Sequence, residues 1–161
     1  ECAKKHLLAI DPNLDITVIN QKIDSQSIDI LNKYHVDFIV DAIDDVNAKV
    51  EISKYALTNN IPLIISLGMA NRLDPNLVEI IRLDKTTDDP LAKKFRYEIK
   101  KAGLDTRSLM CVLSKEKPKK EGNALNSIMS VPSSAGLNIA SYVINYFTKE
   151  GKHNEKHLWN C

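Results

Sequence analysis

The stretch Asp37-Phe38-Ile39-Val40-Asp41-Ala42-Ile43-Asp44-Asp45-Val46-Asn47-Ala48-Lys49 decides how the chain is read. Phe38-Ile39-Val40 is a short apolar run of strand-favouring residues. It ends in acid at Asp41, Asp44 and Asp45, and a helical pattern follows with Val46, Val50 and Leu57 on one face. The reading is a buried strand, an acidic turn and a helix. In open α/β sheets ligands bind beyond the carboxyl ends of the strands. Carboxylates at such an edge can hold Mg²⁺, a hard ion that prefers oxygen ligands. The plainer alternative is that Asp44 or Asp45 caps the helix through its side-chain oxygen. The residues alone leave both open.

Working outward, the same alternation continues on either side. Cys2 to Ile10 reads as a helix with Ala3, Leu7 and Ile10 on one face, stopped by Asp11-Pro12-Asn13. Ile16–Ile19 is β-branched and reads as a strand, and Asp24 or Ser25 opens a helix carrying Ile28, Leu31 and Tyr34. After the strand Phe38–Ala42 and a helix of about Val46–Thr58, Ile61–Ser66 reads as a third strand. Gly68 then lets the backbone turn or approach a ligand closely, a plain turn being the bland reading. This order implies an α/β fold with parallel strands and right-handed crossovers. Val78–Leu83 and Leu109–Leu113 are two further strand candidates. Ser133 or Ser134 caps a final apolar helix, Ala135–Phe147, expected to be packed on both sides, against the sheet or a second subunit.

Between the last two strands, Asp89-Pro90 supplies an N-cap and an N1 proline, and Gly103 a helix stop. Leu91, Ala92, Phe95, Ile99 and Ala102 form the buried stripe of that helix, and Lys93, Lys94, Arg96, Lys100 and Lys101, with Tyr97 among them, lie opposite. A basic face with an aromatic can follow a phosphate backbone and stack a base, although a solvated amphipathic helix looks the same. Lys115 to Asn126 reads as a mobile basic loop.

The totals fit one domain, 1–149, with 150–161 as a tail. At 161 residues and 43% hydrophobic there is enough for a core. No stretch approaches the ~18 apolar residues of a membrane span. The three cysteines, Cys2, Cys111 and Cys161, lack metal-ligand spacing and suit a reducing cytoplasm. Cys111 reads as a small buried hydrophobe rather than a nucleophile. His153 and His157 stand i,i+4 in the tail without an evident third ligand. Net charge is +1 but uneven: residues 1–84 hold 8 Lys/Arg against 13 Asp/Glu, while 85–125 hold 11 against 6. A basic half beside an acidic one suits a polyanion partner.

The opening stretch resembles the strand and following helix of ThiF/MoeB/E1-like adenylating enzymes, whose strand runs into an Asp-x-x-Asp turn, here Asp41 to Asp44. Ile61-Pro62-Leu63, the turn at Gly68, Leu73-Asp74-Pro75, Asp84-Lys85-Thr86, Asp89-Pro90-Leu91-Ala92, Cys111–Glu116 and Val131–Leu137 resemble the tRNA threonylcarbamoyladenosine dehydratases, the TcdA/CsdL group. The resemblance implies a Rossmann-like ThiF/E1-type fold, a mostly parallel sheet flanked by helices. It implies ATP and Mg²⁺ as cofactors and tRNA as partner, with a homodimer and a sulfur-transfer protein as further possible partners. The implied reaction is adenylation of the threonyl carboxylate, intramolecular attack that closes a hydantoin ring, and release of AMP. Asp44 takes the Mg·ATP-side role by this resemblance, Asp41 a supporting one, and Lys49 and Gly68 join the ATP-binding set. The family's Gly-rich phosphate loop has no counterpart, since no glycine precedes Gly68. The expectation is therefore a C-terminal portion with the N-terminal nucleotide-binding β-α units missing, inactive alone. Two alternatives stand beside it: a ThiF/MoeB-type adenylyltransferase activating a sulfur-carrier protein, and a non-enzymatic tRNA-binding and dimerisation module.

Overall fold

The computed structural model describes residues 1–119 and 126–150. Helix α1 spans Cys2–Ile10, strand β1 Ile39–Asp41, helix α2 Val46–Thr58 and strand β2 Leu63–Ser66. Strand β3 (Val78–Arg82), helix α3 (Pro90–Lys101), strand β4 (Met110–Ser114) and helix α4 (Ser130–Glu150) follow. The sheet has the order β1-β2-β4-β3. β1 and β2 are parallel with Ile39 opposite Leu63, and β2 and β4 are parallel with Ile65 opposite Cys111. β3 runs antiparallel to β4 at the edge, a common addition to an otherwise parallel sheet. The fold is thus α/β with a mostly parallel sheet flanked by helices.

Side chains alternate across a strand, so a sheet covered on both faces reads as continuous apolar sequence. Ile65, Cys111 and Leu113 face one way, into a core with Val46 and Val50 of α2 and Phe95 and Ile99 of α3. Ile64 and Val112 face the other way, onto Val131, Ala135 and Ile139 of α4. The stripe Val131, Ala135, Ile139 is spaced i,i+4, the spacing that aligns side chains on one helix face. Phe38 extends this second layer, its ring edge-on to Tyr142 and Tyr146.

Several sequence expectations need correction. Ile16–Ile19 is not a strand among the described residues: a strand exists through its neighbour, and Ile16 instead receives a bond from Lys4 Nζ at 2.6 Å. The expected helix after Asp24 is only a 3-10 segment, Ile28–Lys33, because Asp24 Oδ1 folds a local turn with the amides of Gln26 and Ser27. α1 spans Cys2–Ile10 as read, with Ala3, Leu7 and Ile10 on its surface. α4 begins at Ser130, not at Ser133 or Ser134; Pro132 sits in its first turn, where a missing N–H costs nothing, and Ser134 Oγ donates to the Pro75 carbonyl instead. Within the chain, one side of α4 packs on the sheet, and on the other Leu137 is 73% and Ile144 57% exposed. The tail, with His153 and His157, lies outside the described residues, as does the centre of the basic loop, residues 120–125. The ends of that loop are pinned: Lys119 N–H donates to the Asn71 carbonyl and Asn126 N–H to Asn71 Oδ1.

Candidate functional site

The carboxyl ends of β1 and β2 meet the start of α3 around a cleft of about 650 Å³. Its walls include Asp44, Gly68, Met69, Arg72, Asp89 and Pro118. This is where an open parallel sheet offers a ligand site, because helix starts and strand ends leave backbone groups available there.

Three neighbouring acids have three different environments. Asp41 closes β1 and is fully buried; its Oδ1 accepts from Lys49 Nζ at 3.0 Å and from Ile43 N–H at 2.9 Å. Both side chains of this pair have no solvent exposure, and Asp41 Oδ2 has no partner among the described residues. Lys49 and Asp41 therefore lie beneath the cleft rather than in its wall. Asp45 caps α2, accepting from the amides of Asn47 (2.8 Å) and Ala48 (3.2 Å). Those amides, from Ala48 first and then Asn47, hold its carboxyl below the ordinary value, with a smaller contribution from Lys22. Asp44 is exposed at the cleft and makes no hydrogen bond or ion pair with another described residue. Of the two acids open to the capping reading, Asp45 takes that role and Asp44 is left with its oxygens free.

A second cluster was not anticipated from sequence. Arg72 is only 3% exposed. Its Nη2 pairs with Asp89 Oδ2 at 2.7 Å, Nη1 donates to the carbonyls of Gly68 (2.8 Å) and Ala70 (3.2 Å), and Nε donates to the carbonyl of Glu116 (3.0 Å). Asp89 uses its other oxygen to cap α3 through the Ala92 amide at 2.6 Å, the role expected for it. Gly68 lies against this pair: a Cβ there would come 2.7 Å from Asp89 Oδ2. The glycine is required for close approach, not for a left-handed backbone. Glu116 adds a staple, its Oε2 accepting from the amides of Leu73 (2.7 Å) and Asp74 (2.8 Å), which hold its carboxyl below the usual range. The sequence signal for Arg72 was faint. A charge inside a loop has no periodicity to mark it as buried, and only its place between Gly68 and Asp74-Pro75 hinted at a fixed turn.

The first turn of α3 walls the cleft, and its outer face carries the basic residues. Lys93, Lys94, Lys100 and Lys101 are exposed, and Tyr97 is 65% exposed. Arg96 departs from the expected solvent face: it is half-buried, with Nη1 donating to the Thr86 carbonyl at 2.6 Å and also contacting Thr86 Oγ1. Cys111 is buried, and burial pushes its thiol up to about 12, so it holds no thiolate at neutral pH. Among the described residues no group of three or more His, Cys, Asp and Glu side chains could hold a metal. A free Asp44 does fit Mg²⁺, which is commonly held by one or two carboxylates and completed by phosphate oxygens and water. Among the described residues no helix is long and apolar enough to cross a membrane.

Known proteins share this fold. The chain is 28% identical over 159 residues to tRNA threonylcarbamoyladenosine dehydratase of Bacillus subtilis, covering 88% of this chain and 62% of that protein. It is 34% identical over 120 residues to tRNA threonylcarbamoyladenosine dehydratase 2 of Saccharomyces cerevisiae, covering 73% of this chain and 27% of that protein. The fold matches the E. coli tRNA N6-threonylcarbamoyladenosine dehydratase TcdA in complex with AMP at a TM-score of 0.87 and 23% identity, over 94% of this chain and 64% of that one. The same enzyme in complex with ATP matches at 0.85. The chain thus spans about three-fifths of the bacterial relatives' length or less. The ThiF family model matches residues 1–161, and the chain belongs to the ThiF family.

Proposed function

We propose that this chain is part of an ATP-dependent tRNA threonylcarbamoyladenosine dehydratase, which adenylates the threonyl carboxylate and closes it to a hydantoin. The observation that carries the reading is the unpartnered carboxylate of Asp44 beside Gly68, in a cleft at the ends of two parallel strands. In this reading Asp44 faces the Mg·ATP side, where the metal offsets phosphate charge. Asp45 holds the start of α2, and the buried Asp41–Lys49 pair fixes the backbone on either side of Asp44. The carboxylate oxygen attacks the α-phosphorus and pyrophosphate leaves; the carbamoyl nitrogen then attacks the activated carbonyl and AMP leaves. No side-chain nucleophile is required, which agrees with a Cys111 held as a buried thiol.

The lysines of α3 favour tRNA over a protein substrate. Four exposed ammonium groups and Tyr97 share the outer face of the helix whose first turn walls the cleft. Such a face suits a phosphate backbone and a stacked base. The test is conversion of threonylcarbamoyl-modified tRNA by the full-length protein, read as AMP release and as nucleoside mass. ATP-dependent loss of water, abolished by Asp44→Ala, supports the reading. Adenylation of a small ubiquitin-like carrier protein with no effect on tRNA would replace it with the sulfur-carrier alternative. Salt-sensitive tRNA binding that survives Asp44→Ala, without AMP release, would leave only a binding module.

A further inference from the structure

We propose that Arg72 is a positioning residue that keeps the backbone amides of Gly68, Met69 and Ala70 free to receive an anionic oxygen of the ligand. The inference rests on the adenylating reading above and adds to it Arg72 and the backbone amides of the turn after β2. Within the turn after β2, Arg72 takes the carbonyls of Gly68 and Ala70, and Lys119 N–H takes that of Asn71. The amides of Gly68, Met69 and Ala70, by contrast, have no acceptor among the described residues. All three residues line the 650 Å³ cleft that also holds Asp44. Successive backbone N–H groups in a turn are suited to an anion because each carries partial positive charge and none has to be recruited from elsewhere.

The turn is held from behind rather than by its own amides. Arg72 is anchored by Asp89, which itself caps α3, and by the Glu116 carbonyl after β4. One planar guanidinium thereby ties together the turn, α3 and the segment after β4, a fork geometry that a lysine ammonium cannot reproduce. Asn71, at φ 61°, holds the left-handed backbone that bends the chain back toward Glu116. Gly68 completes the device, since any side chain there would strike Asp89. The anionic oxygen has two possible sources, a nucleotide phosphate and the carboxylate being activated, and the experiment separates them.

The test uses the full-length protein carrying Arg72→Lys, with ATP, AMP and adenosine titrated by calorimetry and KM measured for threonylcarbamoyl-modified tRNA. Loss of hydrogen bonds to a charged group is expected to weaken ATP and AMP binding about tenfold, with adenosine affinity unchanged, if the oxygen is phosphate. A rise confined to the KM for tRNA assigns the oxygen to the carboxylate. Unchanged affinities and KM, or equal losses for ATP, AMP and adenosine, overturn the inference, the latter because it reports a merely structural role. Wild-type protein that binds neither ATP nor AMP overturns the adenylating reading itself and this inference with it. Should Arg72→Lys not fold, the paired Arg72→Gln/Asp89→Asn variant, which removes both buried charges at once, is read by the same criteria.

Discussion

Replacing Lys49 by Met probes the base of the site without touching its surface. Lys49 and Asp41 are joined at 3.0 Å with neither side chain exposed. Met keeps most of the apolar stem and removes only the ammonium. Asp41 is then left with the Ile43 amide on Oδ1 and still, among the described residues, nothing on Oδ2. Removing one member of a buried pair costs roughly 3–5 kcal/mol, because the remaining charge is uncompensated. For a domain of this size that corresponds to a fall in Tm of roughly 6–20 °C, taking ~2–4 °C per kcal/mol. The assay is urea unfolding followed by circular dichroism, with the m-value checked so that a change in the unfolded state is not mistaken for lost stability. The double change Asp41→Asn/Lys49→Met removes both charges and is expected to recover most of the loss. A Lys49→Met variant that loses less than about 1 kcal/mol, or a double variant no more stable than the single one, refutes the claim that this is a dry, mutually dependent pair.

Other outcomes follow from the same geometry. Asp45→Ala lowers Tm while Asp44→Ala leaves it unchanged, since only Asp45 accepts the first-turn amides of α2. The Asp45 carboxyl is held below its ordinary value of 3.8. Its contribution is therefore present above that value and lost as pH falls through the depressed one, so the wild-type advantage over Asp45→Ala should vanish in strong acid and persist at neutral pH. Gly68→Ala forces a Cβ against Asp89 and is expected to destabilise by about 1–3 kcal/mol; a variant as stable as wild type would mean that the turn has room. Maleimide at pH 8, mapped by peptide mass, should label exposed Cys2 in the native protein and reach buried Cys111, whose thiol lies near 12, only after unfolding. Changing Lys93, Lys94 and Lys100 to Glu should weaken tRNA binding by the full-length protein and flatten its dependence on salt, by about one unit of slope for each phosphate no longer neutralised; unaltered affinity would dismiss the α3 face as a tRNA surface.

What could be read in the sequence was whatever local rules decide. α2 spans Val46–Thr58 as read, because its apolar spacing and its capping acid lie within a few residues of each other. The start of α3 at Pro90 is equally local: Asp89 at N-cap and proline at N1 determine it. What failed depended on partners distant in sequence. Ile16–Ile19 has the composition of a strand, yet composition does not supply the neighbouring strand that hydrogen bonding demands. At α4, the pair Ser133-Ser134 looked like a cap, but Val131, Ala135 and Ile139 pack on the sheet and draw the helix back to Ser130. Arg96 had the helical phase of a solvent residue and was turned inward by Thr86, ten residues earlier.

The candidate site divides along the same line. That the turn after β1 holds acids was plain, and so was the ambiguity between capping and ligand binding. Both Asp44 and Asp45 satisfied the local rule, and one helix start has need of only one cap. The geometry assigns it: the Asp45 carboxyl reaches the amides two and three residues on. An oxygen already bonded to two backbone amides has little left to offer a cation, and Asp45 is withdrawn from the cleft chemistry by the same contacts that start α2. Asp44 is thereby singled out by elimination as well as by exposure. Arg72 represents the opposite case, a residue whose importance no local pattern could signal, since its four acceptors come from Gly68, Ala70, Asp89 and Glu116 and meet only when β2, α3 and β4 are assembled. Acids at a strand end can be found by reading; the cation that shapes the turn beside them is found only by folding.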